Sequence, residues 1–78
     1  MFPPRDPDVL DMFTVYENPR DAPGLFVVRR HVIGPGGPQP AEGFAFSTLT
    51  AARAAIPPGC FCLGRQPTDE PQIVETWV

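Results

Sequence analysis

The side chains best suited to chemistry are two cysteines and one histidine. Cys60 and Cys62 lie two apart in the strand-like run CFCLGR, so both point to one side, about 6–7 Å apart, which strains a disulfide. With His31 they offer three metal ligands, but structural zinc sites usually contain CxxC pairs, and this chain has none. We therefore predict reduced thiols in the cytoplasm, without metal or cofactor. A thiol or metal site at these three residues remains an alternative.

The remaining polar groups do not form a catalytic pattern. A nucleophile needs a neighbouring base that is itself held by a third group, and the chain has one histidine. The carboxylate pairs, Asp6 with Asp8 and Asp69 with Glu70, lie in loop-like segments. The glycines of Gly34–Pro40 are interrupted by prolines and are not followed by a Lys and a Ser or Thr, so they do not form a phosphate loop. We predict that the protein is not an enzyme.

The basic residues are all arginines, and the net charge is −3, which argues against a general nucleic-acid binder. In the run RRH at 29–31, alternation along a strand places Arg29 and Arg30 on opposite faces, so the run forms no continuous patch. We expect these arginines to pair across strands with Glu17 or Glu75. The alternative function is contact with an anion or a nucleic acid through Arg29, Arg30 and Arg65.

Clusters of Pro and Gly, twelve and seven residues of the 78, separate short apolar segments and mark turns. Ser47 or Thr48 is the expected N-cap of a helix that ends before Pro57 and Pro58. This order predicts an α+β fold, β-β-(β)-α-β-β, in which a mainly antiparallel sheet of four or five strands has one short helix packed on one face. The predicted strands are 12–17, 25–33, a short 43–46, 60–65 and 72–78; the helix is 49–56, and the turns are 18–24, 34–40 and 66–71.

Residues 1–11 carry three prolines and three aspartates and are predicted to be a flexible leader before a single domain, 12–78. A chain of this size buries a small core, which makes a homodimer a natural source of added stability. No apolar segment has the length of a membrane span or the pattern of a signal peptide. This again favours the cytoplasm, with no membrane partner.

The predicted helix is too short to cover both faces of the sheet. If it covers the face with Phe13 and Val28, then the alternation of side chains places Leu25, Val27 and Trp77 on the other face. An apolar face of this kind indicates a protein partner, although the side chains of Tyr16, Arg29 and Glu75 could shield it instead. The candidate partner surface consists of Leu25, Val27, Arg29, His31 and Trp77.

The runs VYENPRDAPGLFVVRRHVI, TLTAARAAIP and IVETWV resemble a group of short uncharacterised proteins from proteobacteria and their phages. The resemblance covers Thr14–Val78 and implies no activity and no functional residue. It favours an accessory or phage-derived factor that acts by binding. Together with the missing catalytic pattern, it predicts a small non-catalytic protein-interaction module that uses an open sheet face or a sheet edge.

Overall fold

The computed structural model describes residues 2–4, 6–66 and 69–78. Met1 and Arg5 of the predicted leader, and Pro67 and Thr68 of the predicted last turn, lie outside the described residues. The described chain contains one five-stranded antiparallel sheet, in the order β3-β2-β1-β5-β4, and one short helix. The elements are β1 Asp11–Glu17, β2 Phe26–Gly34, β3 Gly37–Phe46, α1 Leu49–Ala54, β4 Cys62–Gly64 and β5 Ile73–Trp77.

The first hairpin follows the predicted strand, turn and strand closely. β1 and β2 pair antiparallel from Glu17 opposite Phe26 to Asp11 opposite Val32. Asn18 and Gly24 have positive φ angles of 52° and 78°, which Asn tolerates and Gly adopts freely. The Asn18 side-chain oxygen accepts a hydrogen bond from the Gly24 amide at 2.7 Å. The predicted pairing of these two strands is confirmed.

The third strand is longer than the sequence predicts. We expected a turn over 34–40 and a strand only from Gly43, but β3 starts at Gly37, which has a φ of 96°. Pro38 and Pro40 are strand residues paired with Ile33 and His31 of β2. The prediction was wrong because a central strand excludes proline, whereas an edge strand tolerates proline where the nitrogen faces solvent.

The helix begins where predicted and ends two residues early. The hydroxyl oxygen of the N-cap Thr48 accepts a hydrogen bond from the Ala51 amide at 3.1 Å. Ala55 is the C-cap, so the predicted last turn to Ile56 is not α-helical, in keeping with the two prolines that follow. Ile56 is nevertheless buried. Within the described residues, no helix is long and apolar enough to cross a membrane.

The buried core is small. Phe13, Val15 and Val28 of the sheet form one cluster with Ala52 and Ile56. Directly paired residues on neighbouring strands share a sheet face. We call the face that carries these sheet residues the core face, and the other the opposite face. Partly buried side chains pack around the cluster, and they are Phe2, Phe26, Phe46, Leu49, Cys60, Val74 and Trp77.

A bulge in β5 places Trp77 on the core face, which corrects its predicted position. Val15 pairs with Glu75, but the next residue, Tyr16, pairs with Ile73, so Val74 is the extra residue. Trp77 lies opposite Phe13 and packs against the core cluster. The prediction placed Trp77 with Leu25 and Val27 because the pairing of the last strand cannot be read from alternation alone.

Replacing Val28 with Ala should destabilise the protein by about 2 kcal/mol, because two methyl groups leave a fully buried site and a cavity remains. Chemical denaturation followed by circular dichroism would measure the loss. The matched control is Leu63→Ala, which removes apolar atoms from an exposed side chain and should change stability by less than about 0.5 kcal/mol. Equal losses in the two variants would contradict this description of the core.

Candidate protein-binding edge

A buried carboxylate joins the helix to the last two strands. Glu75 in β5 accepts hydrogen bonds from Nε and Nη2 of Arg53 in α1, at 2.9 and 3.0 Å. It also accepts one from Nε1 of Trp77 at 3.0 Å and one from Sγ of Cys62 at 3.8 Å. The bonds from Arg53 lower the pKa of Glu75 against the opposing effect of burial, and the Trp77 bond contributes to the lowering. The carboxylate of Glu75 thus has hydrogen-bond partners on both oxygens, and its role is structural.

A bulge between β2 and β3 supplies partners for two neighbouring arginines on opposite faces. Arg30 donates to Asp11 at 3.1 Å and to Glu42 at 2.8 Å. Arg29 donates from Nη1 to the carbonyl oxygen of Ala41 at 2.9 Å. Although burial opposes its charge, the bonds to Asp11 and Glu42 raise the pKa of Arg30. The expected cross-strand pairing of Arg30 is therefore present, but with these partners rather than the predicted ones.

The three arginines of the alternative anion site do not share a surface. Arg29 and Arg30 lie on opposite faces, and the guanidinium of Arg29 lies over Gly43, where an added Cβ would come within 2.7 Å of it. Arg65 lies in the loop after β4, with its Nη2 3.4 Å from the carbonyl oxygen of Asp69. The fold thus separates the side chains that an anion site would have to combine.

The fold also separates the thiols from the histidine. His31 is in β2 and Cys62 in β4, with β1 and β5 between them, which is three strand spacings or about 14 Å. Cys62 faces Glu75 on the core face, whereas His31 lies on the opposite face, across from Met12. Cys60 lies before β4 and packs against the core. Among the described residues no group of His, Cys, Asp or Glu is arranged to hold a metal ion.

Over β1 and β2, the opposite face carries Val27, Arg29 and His31 of the predicted partner surface, with Leu25 just before β2, and no apolar side chain there is more than partly exposed. Val27 is 9% exposed, between its paired neighbours Tyr16 and Ala45. Arg29 lies on this face, as the shielding alternative requires, whereas Glu75 lies on the other. Burial and the nearby Glu70 raise the pKa of the Tyr16 hydroxyl. Polar and charged groups therefore occupy much of this face.

The largest exposed apolar side chains near a sheet edge lie at β4. Phe61 is 75% exposed, Leu63 52% and Val78 36%. Phe61 and Val78 exchange two backbone hydrogen bonds, of 2.7 and 2.9 Å, so their side chains are neighbours. Leu63 is the extra residue of a bulge between Cys62 and Gly64. We call Phe61, Leu63 and Val78 the β4 patch.

The two edges of the sheet differ in how open they are to further pairing. β3, at one end, contains Pro38, Pro40 and a bulge, three features that block edge-to-edge contact. β4, at the other end, has the sequence CLG, without proline or charge. Alternation along the predicted strand 60–65 places Phe61 and Leu63 on one face, opposite the two thiols, but does not show that this strand lies at an edge. The missed signal was an apolar strand with no charged or proline residue to protect an edge.

Comparisons with protein-family models, with curated proteins and with solved structures find no match to this chain. The resemblance described above therefore stays a prediction, and the candidate site rests on the geometry of the chain itself.

The fold should lose stability as the pH falls below about 6.5, in part through His31. Burial, and then the charge of Arg29, lower the pKa of His31 below its usual 6.5. Its Nδ1 is buried without a hydrogen-bond partner among the described residues. The unfolded chain thus takes up this proton first, so the stabilising effect is present above 6.5 and lost below it. Urea denaturation from pH 7.5 to 5 would measure the slope.

The matched control for this pH dependence is His31→Gln, a neutral polar residue at the same place. Its stability should vary less between pH 7.5 and 5 than that of the wild-type chain. A slope equal to that of the wild type would show that His31 does not contribute.

Replacing Arg53 with Met keeps an apolar stem on the helix and removes both hydrogen bonds to Glu75. The variant should be less stable at pH 7, where a buried carboxylate loses its main partner. The deficit should shrink as the pH falls below about 4.5, because protonation removes the charge that Arg53 stabilises in the wild-type chain. Denaturation at pH 7 and pH 4 tests this, and a deficit independent of pH would contradict it.

Proposed function

We propose that the protein is a small non-catalytic protein-interaction module of the cytoplasm that binds a partner along β4. In this proposal α1 stays packed on the core face, and the sheet extends into the partner. The observation that supports it is the β4 patch, which lies on the edge that lacks proline and charge. A second copy of the chain is the simplest partner, and another protein is the general case.

The chemistry of this edge suits strand addition. An extended segment that pairs with an edge strand gains main-chain hydrogen bonds, and its side chains meet those that flank the edge. Phe61 provides a large ring whose burial removes much apolar surface from water. Aromatic side chains of this kind often dominate binding energy. The short length of β4, Cys62–Gly64, limits the backbone contribution and leaves the side chains as the main source of affinity.

Replacing Phe61 with Asp should weaken partner binding at least about tenfold, since a central apolar anchor becomes a charge that must be desolvated. Tagged wild-type and variant chains would be used for affinity purification from cell extract with quantitative mass spectrometry. Partners that are recovered would then be titrated directly by calorimetry. Sedimentation of the chain alone would test the second copy as partner.

Ala45→Asp is the matched control. Ala45 is also exposed, but it lies on β3 at the other edge of the sheet. Partners of the β4 patch should bind this variant as they bind the wild-type chain. The proposal is wrong if every protein retained by the wild type is retained equally by Phe61→Asp, or is lost equally from both variants, while circular dichroism shows that both are folded.

A further inference from the structure

Phe2 is seated in an aromatic socket that other parts of the chain provide. Its ring meets those of Phe13 in β1 and Phe44 in β3 edge-to-face, with centroid distances of 5.0 Å in each case. Phe13 belongs to the buried cluster, and Phe2 packs against it. We call the site formed by Phe13 and Phe44 the Phe2 socket. A residue of the predicted flexible leader is thus part of the core packing.

The described residues that link Phe2 to β1 are mostly exposed. Val9 is partly buried. The exposed residues of this segment are Pro3, Pro4, Asp6, Pro7, Asp8 and Leu10. A local turn is held by the Val9 amide, 3.0 Å from the Asp6 carbonyl oxygen, and by the Asp8 amide, 2.9 Å from a carboxylate oxygen of Asp6. An open apolar groove of about 410 Å³ lies where Phe2, Pro3 and Pro4 meet residues 54–58. Among the described residues, the leader meets the domain through the Phe2 ring at its start and through the Leu10 carbonyl oxygen at its end, which accepts a hydrogen bond from the Ile33 amide at 2.8 Å.

We propose that the Phe2 socket exchanges its occupant between two copies of the chain. In the exchanged dimer, the leader of each copy extends away from its own domain and seats Phe2 between Phe13 and Phe44 of the other. The same segment already fills this site within one chain, so the ring and the socket match in size and shape. Exchange of an identical element is a low-cost route to a dimer. This proposal does not rest on the β4 patch.

The contacts of Phe2 with its socket are the same in the closed monomer and in the exchanged dimer. The tether between Phe2 and β1 therefore decides which of the two is favoured. A closed monomer and an exchanged dimer both satisfy each socket with one Phe2. The dimer dissociation constant is then close to the effective concentration of the tethered leader, which is about millimolar for a short flexible tether. Pro3 and Pro4 stiffen the first part of this tether and favour extended backbone. Pro7 instead lies in the turn that the Val9 amide closes onto the Asp6 carbonyl, so this turn favours the closed monomer and its removal favours exchange.

Sedimentation velocity on the full chain, from about 0.02 to 1 mM, tests the proposal. We expect monomer at the low end and a substantial dimer fraction at about 1 mM. Deleting Asp6–Asp8 shortens the tether, so Phe2 reaches its own socket less easily. The dissociation constant of the dimer should then fall at least about tenfold. Phe2→Ala should stay monomeric throughout. The leader control Leu10→Ala changes an exposed side chain and should match the wild type.

A synthetic peptide of residues 2–10, FPPRDPDVL, probes the socket directly. In excess, it should convert the dimer to monomer and raise the melting temperature of the Phe2→Ala chain, and a peptide with Ala at the first position should do neither. If Phe2→Ala does not fold by circular dichroism, Phe2→Asp replaces it as the variant that cannot occupy the apolar socket and should stay monomeric, whereas Phe2→Leu keeps an apolar side chain in the socket and should dimerise nearly as the wild type does.

The outcomes separate this proposal from binding at β4. A dimer that survives Phe2→Ala but is lost in Phe61→Asp would overturn exchange and support the β4 edge. Monomer at 1 mM for both the wild-type and the deletion chain would overturn exchange. Peptide binding without any dimer would also overturn it, and would show that the socket serves only the leader of its own chain. A dimer lost in Phe2→Ala and kept in Phe61→Asp supports exchange.

Discussion

The buried carboxylate of Glu75 is the group on which the arrangement of the last third of the chain depends. Glu75 is 5% exposed, and a charge at such a site is tolerated only with several donors around it. Those donors come from α1, from β5 itself and from β4, in the form of Arg53, Trp77 and Cys62. The helix, the last strand and the edge strand therefore meet at one group. The orientation of Cys62 towards Glu75 leaves Phe61, one residue earlier in the chain, pointing to solvent.

The second constraint is the size of the core. Five residues form the buried cluster, and charged pairs take up the ends of the core face, with Arg30, Asp11 and Glu42 at one side and Arg53 with Glu75 at the other. These pairs must offset the cost of taking the carboxylates of Asp11 and Glu75 out of water, so they add little net stability by themselves. Apolar rings at the border of the buried cluster therefore contribute a larger share of the stability, and Phe2 is one of these rings. A small domain that completes its core with a tethered residue gains packing but leaves that contact open to competition.

Much of the architecture could be predicted from the sequence, since the β1–β2 hairpin, the helix start at Thr48 and the mainly antiparallel sheet all follow from turn residues and alternation. The errors in the faces of side chains and in the partners of the arginines share one physical origin, which is the bulge. Alternation assigns faces correctly only while the pairing advances one residue at a time. A bulge at Val74 moved Trp77 to the core face, and a bulge opposite Arg30 brought Glu42 within reach in place of the expected carboxylates. The position of a bulge depends on how strands distant in the sequence pair with each other, and a single sequence does not reveal that pairing. The exposure of Phe61 and the seating of Phe2 depend on strand order and chain reversal, which are equally non-local.

The two surfaces proposed for binding both relate to the small size of the helix and the core. With six residues in its helix, the domain cannot protect a whole sheet, and proline protects β3 while no such residue occurs in β4. An unprotected edge with a 75% exposed phenylalanine is a hazard for a free monomer unless it has a partner. The Phe2 socket is different, because its ligand is already covalently attached and competes at about millimolar effective concentration. A partner at β4 meets no such competitor among the described residues. Binding at β4 can therefore be tight in dilute solution, whereas exchange at the socket must depend on concentration.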